Sequence, residues 1–215
     1  MTGPTFGAIL LAGGRASRVD GAAKPLFEVG GQTLLARTIA AVVAVGANPV
    51  VVAAPRPDTG PATGRDGASA VTWVREDPPF GGPVAGVVAA FAPVAAWEPE
   101  PEWTFLLACD LPRVDAAVER LSADILLLPS DTDGACLADP SSRPQWLTGL
   151  YRTTALRAAA AAMPDAGRDA PVRDLVADLA IAAIAASADL TDDVDTWEDL
   201  KRARARAGDA VEEES

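Results

Sequence analysis

The sequence predicts a three-layer α/β fold, with helices on both faces of a mostly parallel central sheet, and three observations predict it. Apolar runs without polar alternation, at Phe6–Leu11, 49–54, Val71–Val74 and Trp103–Ala108, read as strands buried on both faces. Segments with apolar residues at helical spacing, over 33–45 and 84–91, fall between these runs, and another, over 114–121, follows the last of them. That alternation is the signature of parallel strands joined by crossover helices. Glycine- and proline-rich stretches follow the carboxyl ends of the strands, where ligands sit in such sheets.

Taken in order, Phe6–Leu11 is closed by the turn chemistry of Gly13-Gly14. The helix over 33–45 has Thr33 as its N-cap and Gly46 just past its end. A second strand spans 49–54, and 55–68 mixes proline, glycine, aspartate and threonine as an exposed loop. After Val71–Val74 the chain is too rich in proline and glycine for regular structure until the helix at 84–91. A further loop over 93–102 leads to Trp103–Ala108. This strand delivers Cys109-Asp110-Leu111-Pro112 ahead of an amphipathic helix over 114–121. Strands are also expected over 124–128 and 145–151, and alanine-rich helices over 153–163 and 172–179. A last helix over 197–207 completes a single domain, 1–207, followed by an acidic disordered tail over 208–215.

The 215 residues, 49% of them hydrophobic, suffice to bury one sizeable core. A net charge of -12 argues against a broad nucleic-acid surface, which needs a cationic footprint, but leaves room for a nucleotide in a local pocket. No apolar stretch reaches the ~20 residues of a membrane span, and Met1-Thr2-Gly3-Pro4 lacks the basic start of a signal peptide. A cytoplasmic protein without a membrane partner is expected. Cys109 and Cys136 are too few for a disulfide framework. With no histidine in the chain, a Cys/His zinc site and a His-based triad are excluded. Any metal is therefore held by oxygen.

The segment Leu11-Ala12-Gly13-Gly14-Arg15-Ala16-Ser17-Arg18 runs on through Val19 to Lys24, one of two lysines beside sixteen arginines. Glycines that free backbone amides, followed by Arg18 and Lys24, suggest a polyphosphate site. The segment matches neither the P-loop nor the Rossmann fingerprint. Asp110 follows a strand directly and is a hard ligand for magnesium, with waters and substrate phosphates completing the octahedron. Its other reading is the N-cap of the helix after Pro112. Cys109 reads as buried filler, since nothing in the sequence supplies an activating base.

Gly81-Gly82-Pro83-Val84-Ala85-Gly86 allows close backbone approach to a flat ligand, centred on Gly82, though a loop-to-helix start has the same composition. Asp77 just before it suits either a base edge or an ordinary loop cap. In 192–199, Thr196 with Glu198 and Asp199 forms a helix N-terminal signature. Asp193 and Asp195 fall outside it, so either could reach a metal or a polar substrate.

These segments together resemble the molybdenum cofactor guanylyltransferase (MobA-like) family of the nucleotide triphosphate transferase superfamily. The opening loop is similar to its Leu-Ala-Gly-Gly-x-x-x-Arg-Met-Gly...Lys signature, with Val19 at the methionine. Gly82-Pro83-Val84-Ala85-Gly86 resembles Gly-Pro-Leu-Ala-Gly, Asp110-Leu111-Pro112 its Asp-x-Pro, and Asp193-Val194-Asp195-Thr196-Trp197-Glu198-Asp199-Leu200 its Asn-x-Asn-Thr-Pro-Glu-Asp-Leu ending. The match spans about residues 6 to 200. It implies a Rossmann-like nucleotidyltransferase fold in which Leu11, Ala12, Gly13 and Gly14 bind the nucleotide, Lys24 its phosphates, Asp77 the guanine and Asp110 magnesium. Arg18, Lys24 and Asp110 are then the expected catalytic groups, and Asp193 and Asp195 are expected on the acceptor side. The implied substrates are GTP and the terminal phosphate of molybdopterin, with molybdoenzyme maturation partners downstream. Ala53 stands where members often place an asparagine, and an Asp-x-Asp-Thr ending is also similar to cytidylyltransferase relatives. CTP and other phosphorylated acceptors, such as sugar phosphates or phospholactate, are the alternative, as is a nucleotide-binding protein without catalysis.

Overall fold

The computed structural model describes residues 3–13, 24–56 and 71–213. In chain order the strands are β1 (Phe6–Leu11), β2 (Glu28–Val29), β3 (Gln32–Thr33), β4 (Val50–Ala53), β5 (Val71–Val74), β6 (Trp103–Ala108), β7 (Gly134–Ala138), β8 (Pro144–Arg152) and β9 (Ile181–Ala185). The helices are α1 (Leu34–Ala44), α2 (Pro83–Phe91), α3 (Val114–Asp124), α4 (Thr153–Ala162), α5 (Val172–Leu175), α6 (Ala188–Thr191) and α7 (Trp197–Glu213).

Seven strands form the central sheet in the order β5-β4-β1-β6-β8-β7-β9, and β2 with β3 forms a separate hairpin. Among the described strands of that sheet, β8 alone runs antiparallel to its neighbours. Every other pairing is parallel. The apolar strands fit this burial because alternate side chains serve two cores. Ala8 and Leu10 of β1, Val50 and Val52 of β4, and Phe105 and Leu107 of β6 pack with α1 and α3. Ile9, Leu11, Val51, Ala53 and Leu106 pack on the other face with α2 and α4. A third, smaller core joins the β2–β3 hairpin to α7 through Phe27, Val29, Leu34, Val194, Leu200 and Ala203.

Local signals hold at several ends. The Thr33 side-chain oxygen accepts from the Ala36 N–H at 3.1 Å, which is the expected cap of α1. The Thr196 hydroxyl accepts from the Asp199 N–H at 3.2 Å, and Asp199 Oδ2 accepts from the Thr196 N–H at 2.7 Å, a reciprocal cap for α7.

Other expectations fail for identifiable reasons. Residues 124–128 are not a strand: α3 runs to Asp124 and continues as a 3-10 turn, Ile125–Leu127, with Leu126 and Leu127 exposed. The strands in this half that were not expected, β7 and β9, consist mainly of alanine and other small residues. Their helical bias is overridden by pairing with one another in parallel. The helix expected over 172–179 is a single turn, α5, and α7 extends to Glu213, beyond the expected end at 207 and into the segment read as a tail. Gly14 and Arg18 lie outside the described residues.

Candidate active site

Strands β1 and β6 lie side by side, and the pairing continues one residue past β6, where the Cys109 N–H donates to the Leu11 carbonyl at 3.1 Å. The chain therefore leaves the sheet at Gly13 and Asp110 on adjacent rails. The alternative reading of Asp110 as a cap is removed: α3 starts after Arg113 and has no side-chain cap. The Asp110 carbonyl instead accepts from the Val194 N–H at 2.9 Å, which draws the segment before α7 onto the end of β6.

One carboxylate oxygen from each of Asp110, Asp193 and Asp195 lies within 4.8 Å of the other two. Lys24 Nζ donates to Asp195 Oδ1, so the lysine stands at the edge of this acidic group. The third core explains the convergence. Lys24 begins a 3-10 turn whose carbonyl accepts from the Phe27 N–H at 2.9 Å, and the Phe27 ring lies 5.1 Å from that of Trp197, two residues past Asp195. The hairpin turn Gly30-Gly31, with φ of 58° and 76°, was the available sequence signal for this unit.

Burial pushes the Asp110 carboxyl up to about 6, helped by the charges of Asp193 and Asp195 and opposed by Lys24. Burial also raises Asp193, with Asp195 adding to it. Three crowded carboxylates of this kind suit a hard divalent cation, whose charge would relieve both their desolvation and their repulsion. Cys109 is fully buried and its thiol is held well above its ordinary range by burial and by Asp110, which fits filler and not a nucleophile.

Two clefts meet at Asp110. The first, about 470 Å³, is lined by Leu11, Gly13, Ala53, Glu76, Phe80, Gly82, Pro83, Gly86, Ala108, Asp110, Leu147 and Asp169. Gly82, at φ 90°, adopts a conformation that a side chain would resist, and it precedes Pro83 at the start of α2. The second cleft, about 290 Å³, is lined by Asp110, Asp193, Gln145, Trp146, Leu147, Thr148 and Thr191 among others. A register shift in the β7–β8 pairing takes Cys136 opposite Gly149 and Leu137 opposite Gln145, leaving Trp146, Leu147 and Thr148 out of register. Bulges of this kind re-aim side chains, and here Leu147 lines both clefts while Trp146 and Thr148 line the smaller one.

Of the residues expected at a nucleotide, Leu11, Gly13, Gly82 and Asp110 share the larger cleft, while the Ala12 side chain packs toward the α1–α3 core. Asp77 lines an adjoining hollow with Arg75 and Arg168, and Glu76 lines both that hollow and the cleft, its Oε1 accepting from the Phe80 N–H at 3.0 Å. Glu76, Phe80, Leu147 and Asp169 were not identified from sequence. Only the strained backbone of Phe80 and Asp169, at φ 68° and 54°, sets two of them apart, and that is a structural signal.

In a sheet of this kind ligands sit at the carboxyl ends of the strands, and here the adjacent central strands end at Gly13 and Asp110. Residues 8–183 match the family described as the MobA-like NTP transferase domain, and the chain belongs to that family. It is 33% identical over 150 residues to a probable molybdenum cofactor guanylyltransferase of Synechococcus elongatus, covering 68% of this chain and 72% of that protein. The fold is shared with Rv0371c of Mycobacterium tuberculosis, at a TM-score of 0.68 and 21% identity, covering 95% of this chain and all of that one. It is also shared with a nucleotidyl transferase of Methanothermobacter, at 0.67 and 20%, covering 97% of this chain and 100% of that one. Among the described residues no helix is long and apolar enough to cross a membrane.

Proposed function

We propose that this protein transfers GMP from GTP to the terminal phosphate of molybdopterin, releasing pyrophosphate. The observation that carries the reading is the position of Asp110 on the wall of both clefts, with Asp193, Asp195 and Lys24 beside it. A nucleoside triphosphate in the larger cleft and a phosphorylated acceptor in the smaller would then meet at one carboxylate. Membership of an NTP transferase family and the name of the Synechococcus relative support the nucleotide and the acceptor.

An acceptor phosphate oxygen attacks the α-phosphorus of GTP, the bond to the bridging oxygen breaks, and that oxygen departs with the electron pair as part of pyrophosphate. A phosphate nucleophile is already ionised at neutral pH, so a chain without histidine lacks nothing the step requires. Catalysis then consists of alignment and charge neutralisation. The backbone at Leu11 and Gly13 positions the polyphosphate, Lys24 exchanges Asp195 for a phosphate oxygen, and Arg18 adds a second cation for the leaving group. Asp110, with Asp193 and Asp195, would hold magnesium, which when bound supplies neutralising charge between phosphate groups.

The test is a pyrophosphate-release assay crossing GTP, CTP, ATP and UTP with molybdopterin, sugar phosphates and phospholactate. Release only in the GTP and molybdopterin pairing is the expected result. Release with CTP or with another acceptor would reassign the substrate, and triphosphate binding without release would make the protein a regulator and not an enzyme.

A further inference from the structure

Strand β8 carries a fully buried tyrosine, Tyr151, that takes no part in the chemistry proposed above. The pairing of β8 with β6 runs from Arg152 opposite Trp103 to Thr148 opposite Leu107 and stops there. On its other side β8 meets β7 with Gly149 opposite Cys136 and next with Gln145 opposite Leu137, so one step along β7 spans four along β8. Trp146 and Leu147 therefore sit in a bulge whose path neither neighbouring strand's register fixes. An excess of this size can be taken up in more than one way, and a contact outside the ladder has to select one.

Tyr151 supplies that contact. Side chains two apart share a face of a strand, so Tyr151, Gly149 and Leu147 follow one another along the face that packs into the second core. The ring lies back across Gly149, where a Cβ would come within 2.7 Å of the Tyr151 Cε2 and Oη. Gly134, opposite Tyr151 on β7, clears the other edge, since a Cβ there would come within 2.6 Å of Tyr151 Cδ1. The two glycines form a trough for the ring. Along it the hydroxyl reaches the bulge and donates to the Trp146 carbonyl at 2.7 Å. Burial raises the phenol well above its ordinary range, so the hydroxyl stays protonated and keeps donating.

Gln145, Trp146, Leu147 and Thr148 all line the smaller cleft, and of the four only Leu147 also lines the larger. Tyr151 itself lines neither. Resting on the reading of the smaller cleft as the acceptor's, we propose that Tyr151 is a positioning residue for the acceptor, its hydroxyl fixing the bulge that presents Gln145, Trp146, Leu147 and Thr148 to that substrate. The reacting phosphate lies at Asp110, so the bulge holds the remainder of the acceptor. Contacts of that kind bind ground state and transition state alike, and their loss is felt in KM and not in kcat.

The experiment compares Tyr151→Phe with wild type, as full chains with magnesium, by steady-state kinetics and by amide hydrogen exchange. The variant loses one oxygen from a buried ring and should fold, melting lower by about 2–4 °C. Its KM for molybdopterin should rise about five- to tenfold, while kcat and the KM for GTP stay within about twofold. Exchange should quicken about tenfold over residues 145–148 and not in the rest of β8. Gly149→Ala, which crowds the ring out of its trough and leaves the hydroxyl in the chain, should give the same asymmetry. If wild type prefers another acceptor in the release assay, that acceptor takes the place of molybdopterin here. Equal changes in both KM values, no change in the acceptor's, or exchange over 145–148 as slow as in wild type would mean that the hydroxyl only stabilises the sheet, and would overturn the proposal. Wild type that releases pyrophosphate with none of the acceptors would overturn the reaction, and this inference with it, before any variant is made, so the two failures are told apart.

Discussion

Burial and two neighbouring carboxylates hold Asp110 at about 6, above the 3.8 of a free aspartate. A raised carboxyl contributes stability that is fully present below about pH 4 and is lost as pH rises through about 6. At pH 8, without metal, the ionised Asp110 is therefore a burden on the fold. Asp110→Asn should raise the melting temperature of the metal-free protein at pH 8, by roughly 2–4 °C for each kcal/mol recovered. The gain should shrink toward zero near pH 4, and melts in chelator at both values check the sign. The same variant should lose pyrophosphate release. Lys24 pairs with Asp195 at rest and, in this scheme, with phosphate during the reaction. Lys24→Ala should lower turnover roughly 10²- to 10³-fold, as loss of one preorganised charge-stabilising donor does, and a purified variant with full turnover would remove the lysine from the mechanism.

At the scale of elements, the unit that aligns the site is the small core between the β2–β3 hairpin and α7. Its Phe27–Trp197 contact sits close in sequence to both Lys24 and Asp195. Trp197→Ala removes an aromatic pair worth about 0.5–1.5 kcal/mol beyond its buried area, so the fold should survive with a modestly lower melting temperature. Turnover should fall about tenfold or more, because displacement of a charged group by even ~1 Å is costly in a reaction that depends on alignment. Parallel measurement of melting temperature and kcat separates the two effects, and an unchanged kcat would show that the contact is structural only.

Across the whole molecule, the strands that meet at the site were legible because Phe6–Leu11 and Trp103–Ala108 are almost wholly apolar, buried Thr104 being the polar exception and hydrogen-bonded to Thr153. The far side of the sheet was not legible. β7 and β9 are alanine-rich, and alanine favours helix until a partner strand supplies hydrogen bonds. The apolar run at Ile125–Leu127 misled for the converse reason, since two of its three leucine and isoleucine side chains face solvent. Asp110, Asp193, Asp195 and Lys24 were recognisable singly, but their meeting depends on a tertiary contact between residues 171 apart in the chain. Asp169 gave no local signal, because its N–H is held by the Gly81 carbonyl ahead of α2 and not by its neighbours in sequence. If metal and nucleotide bind this assembled site together, GTP at a hundred times its dissociation constant should stabilise the fold by about 2.7 kcal/mol. The resulting rise in melting temperature should vanish in chelator, and its persistence would show that the nucleotide binds without the acidic group.

The wall formed by Asp110 and Leu147 has a kinetic consequence. If the two substrates of the proposed reaction occupy the two clefts that share this wall, both are seated on the protein at once. No covalent relay through the protein is needed. Initial rates measured at several fixed concentrations of the second substrate should therefore give double-reciprocal lines that intersect, whereas parallel lines would mark a nucleotidylated protein and a path in which the two reactants never share the molecule.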